Sequence, residues 1–396
     1  MNKSLKLNSN LALLHAIRGV AAFYVVVYHA KFILWSGGKE FLQQFPRSSW
    51  SITDYFLFSG DMLFSAGSQM VMIFFVLSGF FIAMSWKNIT GAITDKIRYF
   101  YSVRLIRIYI PYIASIFLSV IVLLLIAEIS PGLYHLNSTR EFNSRLLVAN
   151  ADLTLSNFAR GLVFNKNNEY IGFNYAYWSL LYEAIFYLFV PFIYQFKKIY
   201  FIVSALFFIT GIFVIDRFRV DNIFVKFLFE YNFYFAIGQA IYIYREQISR
   251  FAQLKYFKVL AAGSSIILFF IFNVLALFHQ DFWADFLSAI TAALLILLFL
   301  NHDVRNSLII KAIKKLGEMS YSLYLVHIPT IIFIYALFYK YTGKTVFFEH
   351  LYFIGVIASL VVGWVFYSFI EKPSLLLIKK LKRSLKHKPE LSLKVA

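Results

Sequence analysis

The sequence contains no cysteine. This excludes disulfides, a thiolate nucleophile and any metal site built on cysteine ligands. Charge is also scarce, because only 15% of the 396 residues are charged and 60% are hydrophobic. Soluble domains carry about 25% charged residues. The composition therefore excludes an ordinary soluble domain and indicates an integral membrane protein.

Long apolar runs recur along the whole chain. Each covers about 18 to 22 residues, enough to cross a bilayer as a helix. A lipid-exposed backbone must satisfy its own hydrogen bonds, so these runs predict helices and an all-α, polytopic fold. The first run is too long for a signal peptide and is read as a retained span. The ten predicted spans are about 12–34, 69–86, 108–127, 178–194, 199–215, 224–243, 258–278, 283–300, 320–340 and 350–370.

The net charge of +18 is distributed unevenly. Ten spans place both termini on one side, whose segments hold 25 of the 38 lysines and arginines, against 12 on the opposite side. The side rich in Lys and Arg is normally cytoplasmic, so both termini are predicted to be cytoplasmic. We divide the chain into a membrane core, 1–373, and a basic tail, 374–396, which is expected to face anionic lipids rather than nucleic acid.

Ionisable residues inside a membrane are costly and are functional candidates by default. Arg18 and His29 in the first span are eleven residues apart, which is about 20° beyond three full turns. They therefore share one helix face, roughly 16 Å apart along the axis. A guanidinium near the interface suits a phosphate, and a deeper imidazole suits proton transfer. The alternative is that Arg18 reaches lipid headgroups and His29 only packs.

Two further ionisable residues have a similar predicted depth. Glu183 lies about five residues below the outer end of the fourth span, as His29 does in the first, and His327 lies near the middle of the ninth. We expect Glu183 to hydrogen-bond His29 and to fix its tautomer. The alternatives are an interfacial carboxylate for Glu183 and an interhelical hydrogen bond for His327.

Two motifs complete the set of candidates. Ser78-Gly79 in the second span permits close approach of a helix or a substrate. Arg104 and Arg107, at i and i+3, present two guanidinium groups on one helix face, which favours a phosphate clamp. Each motif also has a structural explanation that remains open. Ser78-Gly79 could serve helix packing alone, and Arg104 and Arg107 could reflect the positive-inside rule alone.

At these positions the sequence resembles the family-3 membrane acyltransferases, which O-acetylate bacterial surface polysaccharides and related glycans. The matching motifs span about 14 to 373 in the family's order. They are Arg18-Gly19 with His29, Phe74 to Phe80, Arg104 with Arg107, Trp178 to Glu183, Gly317 to His327, and Glu371-Lys372-Pro373. Two positions depart from the family pattern. His15 stands where the family often has a small or acidic residue, and Ala184 stands where a second acid often follows the matched glutamate.

The resemblance implies a ten-helix core in the bacterial inner membrane, with acetyl-CoA as donor and a polysaccharide or lipid-linked glycan as acceptor. His29 would be the catalytic histidine, acting as general base or carrying the acyl group, with Glu183 beside it. Arg18, Arg104 and Arg107 would hold the donor. Ser78, Trp178, Tyr182 and His327 would contact substrate, and no metal is expected.

Three other classes remain as alternatives. A secondary transporter could use the same buried residues as a proton relay. A membrane acyltransferase of the histidine–asparagine type could act on lipid or protein. A receptor or scaffold would need none of these buried charges.

Overall fold

The computed structural model describes residues 3–136, 140–218, 222–252, 254–301 and 307–386. In these ranges the chain is helical and contains no β-strand, as the composition predicts. In chain order the α-helices are α1 Lys3–Leu34, α2 Gly38–Gln44, α3 Ile52–Leu63, α4 Gly67–Lys87, α5 Ile93–Ile129, α6 Glu141–Ala151, α7 Leu155–Gly161, α8 Trp178–Gln195, α9 Lys197–Phe218, α10 Ile223–Lys226, α11 Asn232–Ile243, α12 Arg245–Ala252, α13 Phe257–Leu277, α14 Asp281–Asn301, α15 Leu308–Glu318, α16 Ser320–Thr342, α17 Tyr352–Phe366 and α18 Lys372–Lys386.

The long helices coincide with the predicted membrane spans. Eight of them, within the described residues, are long and apolar enough to cross a bilayer. The other two predicted spans fall on α9, which has 22 residues, and on α10 and α11, which the π-helical turn Phe227–Tyr231 joins end to end. The chain is therefore an all-α polytopic membrane protein.

Helix α5 is longer than the apolar run from which it was predicted. It covers 37 residues and begins at Ile93, well before the run that starts near residue 108. The apolar run marks the part of the helix that contacts the hydrocarbon core of the bilayer. Before it, Lys, Arg and Tyr residues continue the same helix into the headgroup region. As a result, Arg104 and Arg107 are fixed to the spanning helix itself.

Helix α1 lies at the centre of the bundle, where it packs against α4, α14, α15, α16 and α17. Its closest approach is to α15, at two glycines. A Cβ on Gly19 would overlap the backbone of Gly317, and a Cβ on Gly317 would overlap the backbone at His15. The absence of both side chains lets the two backbones touch. This contact fixes the level of Arg18, the neighbour of Gly19.

The segment before α8 re-enters the bundle. Gly172 adopts a φ of 68° and packs against Ser119, so this turn requires glycine. Asn174 donates from Nδ2 to the carbonyl oxygen of Leu325 at 2.7 Å, and the Tyr177 hydroxyl lies 2.9 Å from the Ser115 hydroxyl. Helix α8 therefore begins inside the bundle rather than at the membrane surface.

Both described ends of the chain lie on the same side of the bundle. The π-helical turn Tyr367–Glu371 joins α17 directly to α18, and Lys382 of α18 borders a cavity together with His15 of α1. We call this the N-terminal side and the opposite one the far side. Residues 387–396 of the predicted basic tail lie outside the described residues, and the division at 373 stays a prediction.

Candidate active site

A pair of histidines lies at the centre of the bundle. Nδ1 of His29 on α1 lies 2.9 Å from Nε2 of His327 on α16, and the ring centroids are 5.1 Å apart. His327 is completely buried, whereas His29 is partly exposed. The accessible face of this pair therefore belongs to His29.

The contacts of His327 determine which nitrogen of His29 is free. Nδ1 of His327 lies 2.7 Å from the carbonyl oxygen of Tyr324, which can only accept, so Nδ1 carries the proton. In a neutral imidazole, Nε2 of His327 is then an acceptor, and His29 must donate to it from Nδ1. Nε2 of His29 is left with a lone pair. The pair thus presents one oriented base.

The expected pairing of Glu183 with His29 is wrong. Oε1 of Glu183 accepts a hydrogen bond from the Ser78 hydroxyl at 2.9 Å and another from the Tyr187 hydroxyl. His327, not Glu183, is the hydrogen-bond partner of His29. Glu183 instead lies beside three arginines, nearer the N-terminal side.

The re-entrant segment explains this difference in depth. The hydroxyls of Ser179 and Tyr324 lie 2.8 Å apart, which sets the level of the first turn of α8. Glu183 lies four residues beyond Ser179 towards the N-terminal side, and His327 lies three residues beyond Tyr324 in the opposite direction. At 1.5 Å per residue, about 10 Å separate them along the bundle axis. The predicted depth of Glu183 would hold only if α8 began at the membrane surface.

Three arginines converge on one small chamber. Arg18 of α1 and Arg104 and Arg107 of α5 line a cavity of about 30 Å³, together with Ser78 and Glu183. The guanidinium of Arg104 is buried and lies over the rings of Phe100 and Tyr187, at 5.2 and 5.3 Å from the centroids. We call this group of residues the arginine chamber.

The arginine chamber adjoins a larger cavity on the N-terminal side. That cavity has a volume of about 260 Å³, and Phe81, Arg104 and Arg107 border both spaces. His15 and Lys382 also line it, and His15 stacks on Phe81 with ring centroids 4.4 Å apart. Together the two spaces form a cationic path from the N-terminal side into the bundle.

Two carboxylates offset part of this positive charge. Glu183 lines the chamber, and buried Glu371 accepts from the backbone N–H and the hydroxyl of Ser322 at 3.0 and 2.5 Å. Nε of Arg18 and of Arg104 is buried without a hydrogen-bond partner in the described structure. Three guanidinium groups, two of them with unpartnered buried donors, face two carboxylates, so the chamber is suited to an anionic ligand.

A second polar cavity lies on the far side. Its volume is about 930 Å³, and its wall mixes aromatic, cationic and acidic side chains: Tyr28, Lys31, Trp35, Gln69, Arg140 and Asp281 among others. Tyr28 packs edge-on against His29, with centroids 5.0 Å apart. Helix α1 therefore runs from the arginine chamber past His29 to this cavity.

The remaining predicted substrate residues have different surroundings. Trp178 and Tyr182 pack in an aromatic cluster with Phe75 and Tyr231, where the Tyr182 and Tyr231 centroids are 4.4 Å apart. Like His29 and His327, they do not themselves line the three cavities described above. Ser78, by contrast, lines the arginine chamber and donates a hydrogen bond to Glu183 there. Contact of these residues with substrate stays a prediction.

Two tyrosines of this region are not among the residues predicted from the sequence. Tyr187 hydrogen-bonds Glu183 from one helical turn away, and this i, i+4 spacing was a usable signal. Tyr175 lies against His29 with ring centroids 5.2 Å apart. It precedes the predicted span, in a segment expected to lie outside the membrane, so no sequence signal indicated it.

The fold and this site define a polytopic membrane protein with a single oriented histidine between two polar cavities. A family model described as an acyltransferase domain, that of the family-3 acyltransferases, matches residues 11–368. The chain belongs to this family and is a membrane acyltransferase. No curated protein and no solved structure matches it significantly.

Proposed function

We propose that the protein is an O-acyltransferase of the bacterial inner membrane, which moves an acetyl group from cytoplasmic acetyl-CoA to a hydroxyl of a cell-surface polysaccharide or a lipid-linked glycan. The observation that carries this proposal is the His29–His327 pair, with one free imidazole nitrogen, between a cationic path and a large polar cavity.

The arginine chamber is the donor side of the proposed reaction. Arg18, Arg104 and Arg107 would bind phosphate groups of the coenzyme, for which guanidinium is the favoured partner. The pantetheine arm is long enough to cover the rise of roughly 16 Å from Arg18 to His29. Glu183, held by Ser78 and Tyr187, would then orient the arginine side chains of the chamber rather than the imidazole of His29.

The chemistry assigned to His29 is general-base catalysis. Nε2 removes the proton of the acceptor hydroxyl as its oxygen attacks the thioester carbonyl carbon. The carbon–sulfur bond breaks, and the coenzyme leaves as a thiol with the proton that His29 carried. His327 accepts the Nδ1 hydrogen bond throughout, which keeps Nε2 directed at the substrate.

The direct test is transfer of radiolabelled acetyl from acetyl-CoA to glycan by the purified protein in lipid nanodiscs. We expect labelled glycan and free coenzyme in equal amounts. Labelled lipid with unlabelled glycan would assign the acceptor to a different class. Proton-coupled solute uptake without acetyl-CoA turnover would favour a transporter instead.

We expect Arg18→Lys to weaken acetyl-CoA binding about tenfold and to change kcat little. Lysine keeps the charge but loses the planar fork that binds phosphate with two hydrogen bonds. The measurement is the donor Kd together with KM and kcat. Arg98→Lys, on the exposed face of α5, is the control and should bind as the wild type does. Unchanged affinity in both Arg18→Lys and Arg18→Ala would refute the donor role.

Cytoplasmic termini are required if the arginine chamber is to receive cytoplasmic acetyl-CoA. We therefore expect a fluorescent protein fused after Ala396 to fold and fluoresce in the cytoplasm, and alkaline phosphatase fused there to be inactive. A phosphatase fusion in the far-side loop near Arg47 should show the opposite activity. Active phosphatase at the C-terminus would place the entrance of the cationic path on the side of the membrane opposite the cytoplasm, where acetyl-CoA is absent.

A further inference from the structure

Tyr175 lies beside the histidine pair, at the end of the re-entrant segment. Its ring meets the His29 ring at 78° with centroids 5.2 Å apart. Its hydroxyl oxygen is buried and has no hydrogen-bond partner within the described residues. An unpartnered buried hydroxyl is destabilising, so its presence on a ring that packs against His29 points to a substrate atom as its partner.

A cation lies over the face of the same ring. Cζ of Arg145 is 5.6 Å from the Tyr175 centroid. Arg145 is itself fixed, since it donates to both carboxylate oxygens of Glu169 at 2.6 and 2.9 Å. The hydrogen bond to Glu169 raises the pKa of Arg145, so the guanidinium is always charged. A cation over the ring of a phenol draws electron density away from the phenol oxygen and so strengthens the hydroxyl as a donor.

Within the described structure, the other fully buried polar side chains close to the pair are already engaged or have the wrong polarity. The Tyr324 hydroxyl lies 2.8 Å from Ser179 and donates to the carbonyl oxygen of Ala176 at 3.0 Å. Asn174 has its amide nitrogen bound to Leu325, and only its oxygen is unpartnered. An amide oxygen cannot stabilise negative charge, whereas the Tyr175 hydroxyl can.

We propose that Tyr175 donates a hydrogen bond to the carbonyl oxygen of the acyl group during transfer and stabilises the oxyanion that forms there. This inference rests on the proposed acyl transfer. When the acceptor oxygen attacks, the carbonyl π electrons move onto the oxygen, which Tyr175 binds. When the carbonyl re-forms, the thiolate leaves and takes the proton from Nε2 of His29. Tyr175 keeps its own proton throughout.

The test compares two substitutions of tyrosine by phenylalanine. Tyr194, on the last turn of α8, also has a buried hydroxyl without a partner in the described structure, but its ring lies against Trp86. We expect Tyr175→Phe to lower kcat about 100-fold, the typical effect of losing one oxyanion donor, with donor KM unchanged. Tyr194→Phe should retain wild-type kcat.

Thermal stability separates this role from a structural one. Both substitutions remove an unpartnered buried hydroxyl, so both variants should unfold at the same temperature as the wild type or higher. A Tyr175→Phe enzyme with kcat within twofold of the wild type would overturn the inference, and so would an equal loss in both variants. Absence of acetyl transfer in the wild type would instead overturn the proposed function.

Discussion

Replacing His29 with alanine is expected to reduce acetyl transfer at least about 1000-fold, to the background rate. His29 is the partly exposed member of the histidine pair, and its Nε2 is the nitrogen left with a lone pair. General bases contribute about 100-fold to 10,000-fold to a rate, and no second free base lies beside it in the described structure.

The same variant should bind acetyl-CoA as the wild type does. The arginine chamber lies roughly 16 Å from His29 along α1, so the substitution removes no phosphate contact. Transfer is measured with radiolabelled donor, and binding by calorimetry on the same preparation. His135→Ala, at an exposed histidine, is the matched control and should retain full activity. Wild-type transfer by His29→Ala would contradict the mechanism.

The all-α membrane fold follows from the sequence because apolar length alone specifies it. A run of about 20 apolar residues must be helical in lipid, and this constraint does not depend on tertiary contacts. The boundaries were less predictable. In α5 the polar residues from Ile93 onward continue the helix, although they contribute nothing to the apolar run.

The candidate site shows what helical spacing can and cannot predict. The shared face of Arg18 and His29 and the pairing of Arg104 with Arg107 are local consequences of 3.6 residues per turn. The meeting of His29 with His327 joins residues 298 positions apart, which no local spacing encodes. It depends on how α1 packs against α16.

The error at Glu183 has a specific cause. A membrane depth counted from the sequence requires each span to begin at the membrane surface. Gly172 and Asn174 instead hold the preceding segment inside the bundle, so the whole of α8 is displaced towards the N-terminal side. Gly172 is an ordinary loop glycine in the sequence. Its positive φ and its contact with Ser119 are visible only in the folded chain.

Replacing His327 with phenylalanine is expected to lower kcat about 100-fold to 10,000-fold while donor KM stays constant. Phenylalanine keeps a ring in this fully buried position but cannot accept the proton of His29 Nδ1. His29 can then rotate or change tautomer, so that Nε2 is no longer a base directed at the substrate. Loss of the equivalent orienting group in serine hydrolase triads costs about 10,000-fold.

Rescue by a conservative variant distinguishes positioning from packing. In His327→Gln the side-chain oxygen can accept from His29, and we expect it to recover at least tenfold of the activity lost in His327→Phe. The control is Thr330→Val, which removes a buried hydroxyl one turn further along α16 that donates to the carbonyl oxygen of Val326 at 2.7 Å. It should keep wild-type kcat. If His327→Phe turned over at the wild-type rate while His29→Ala was inactive, His29 would act without an orienting partner.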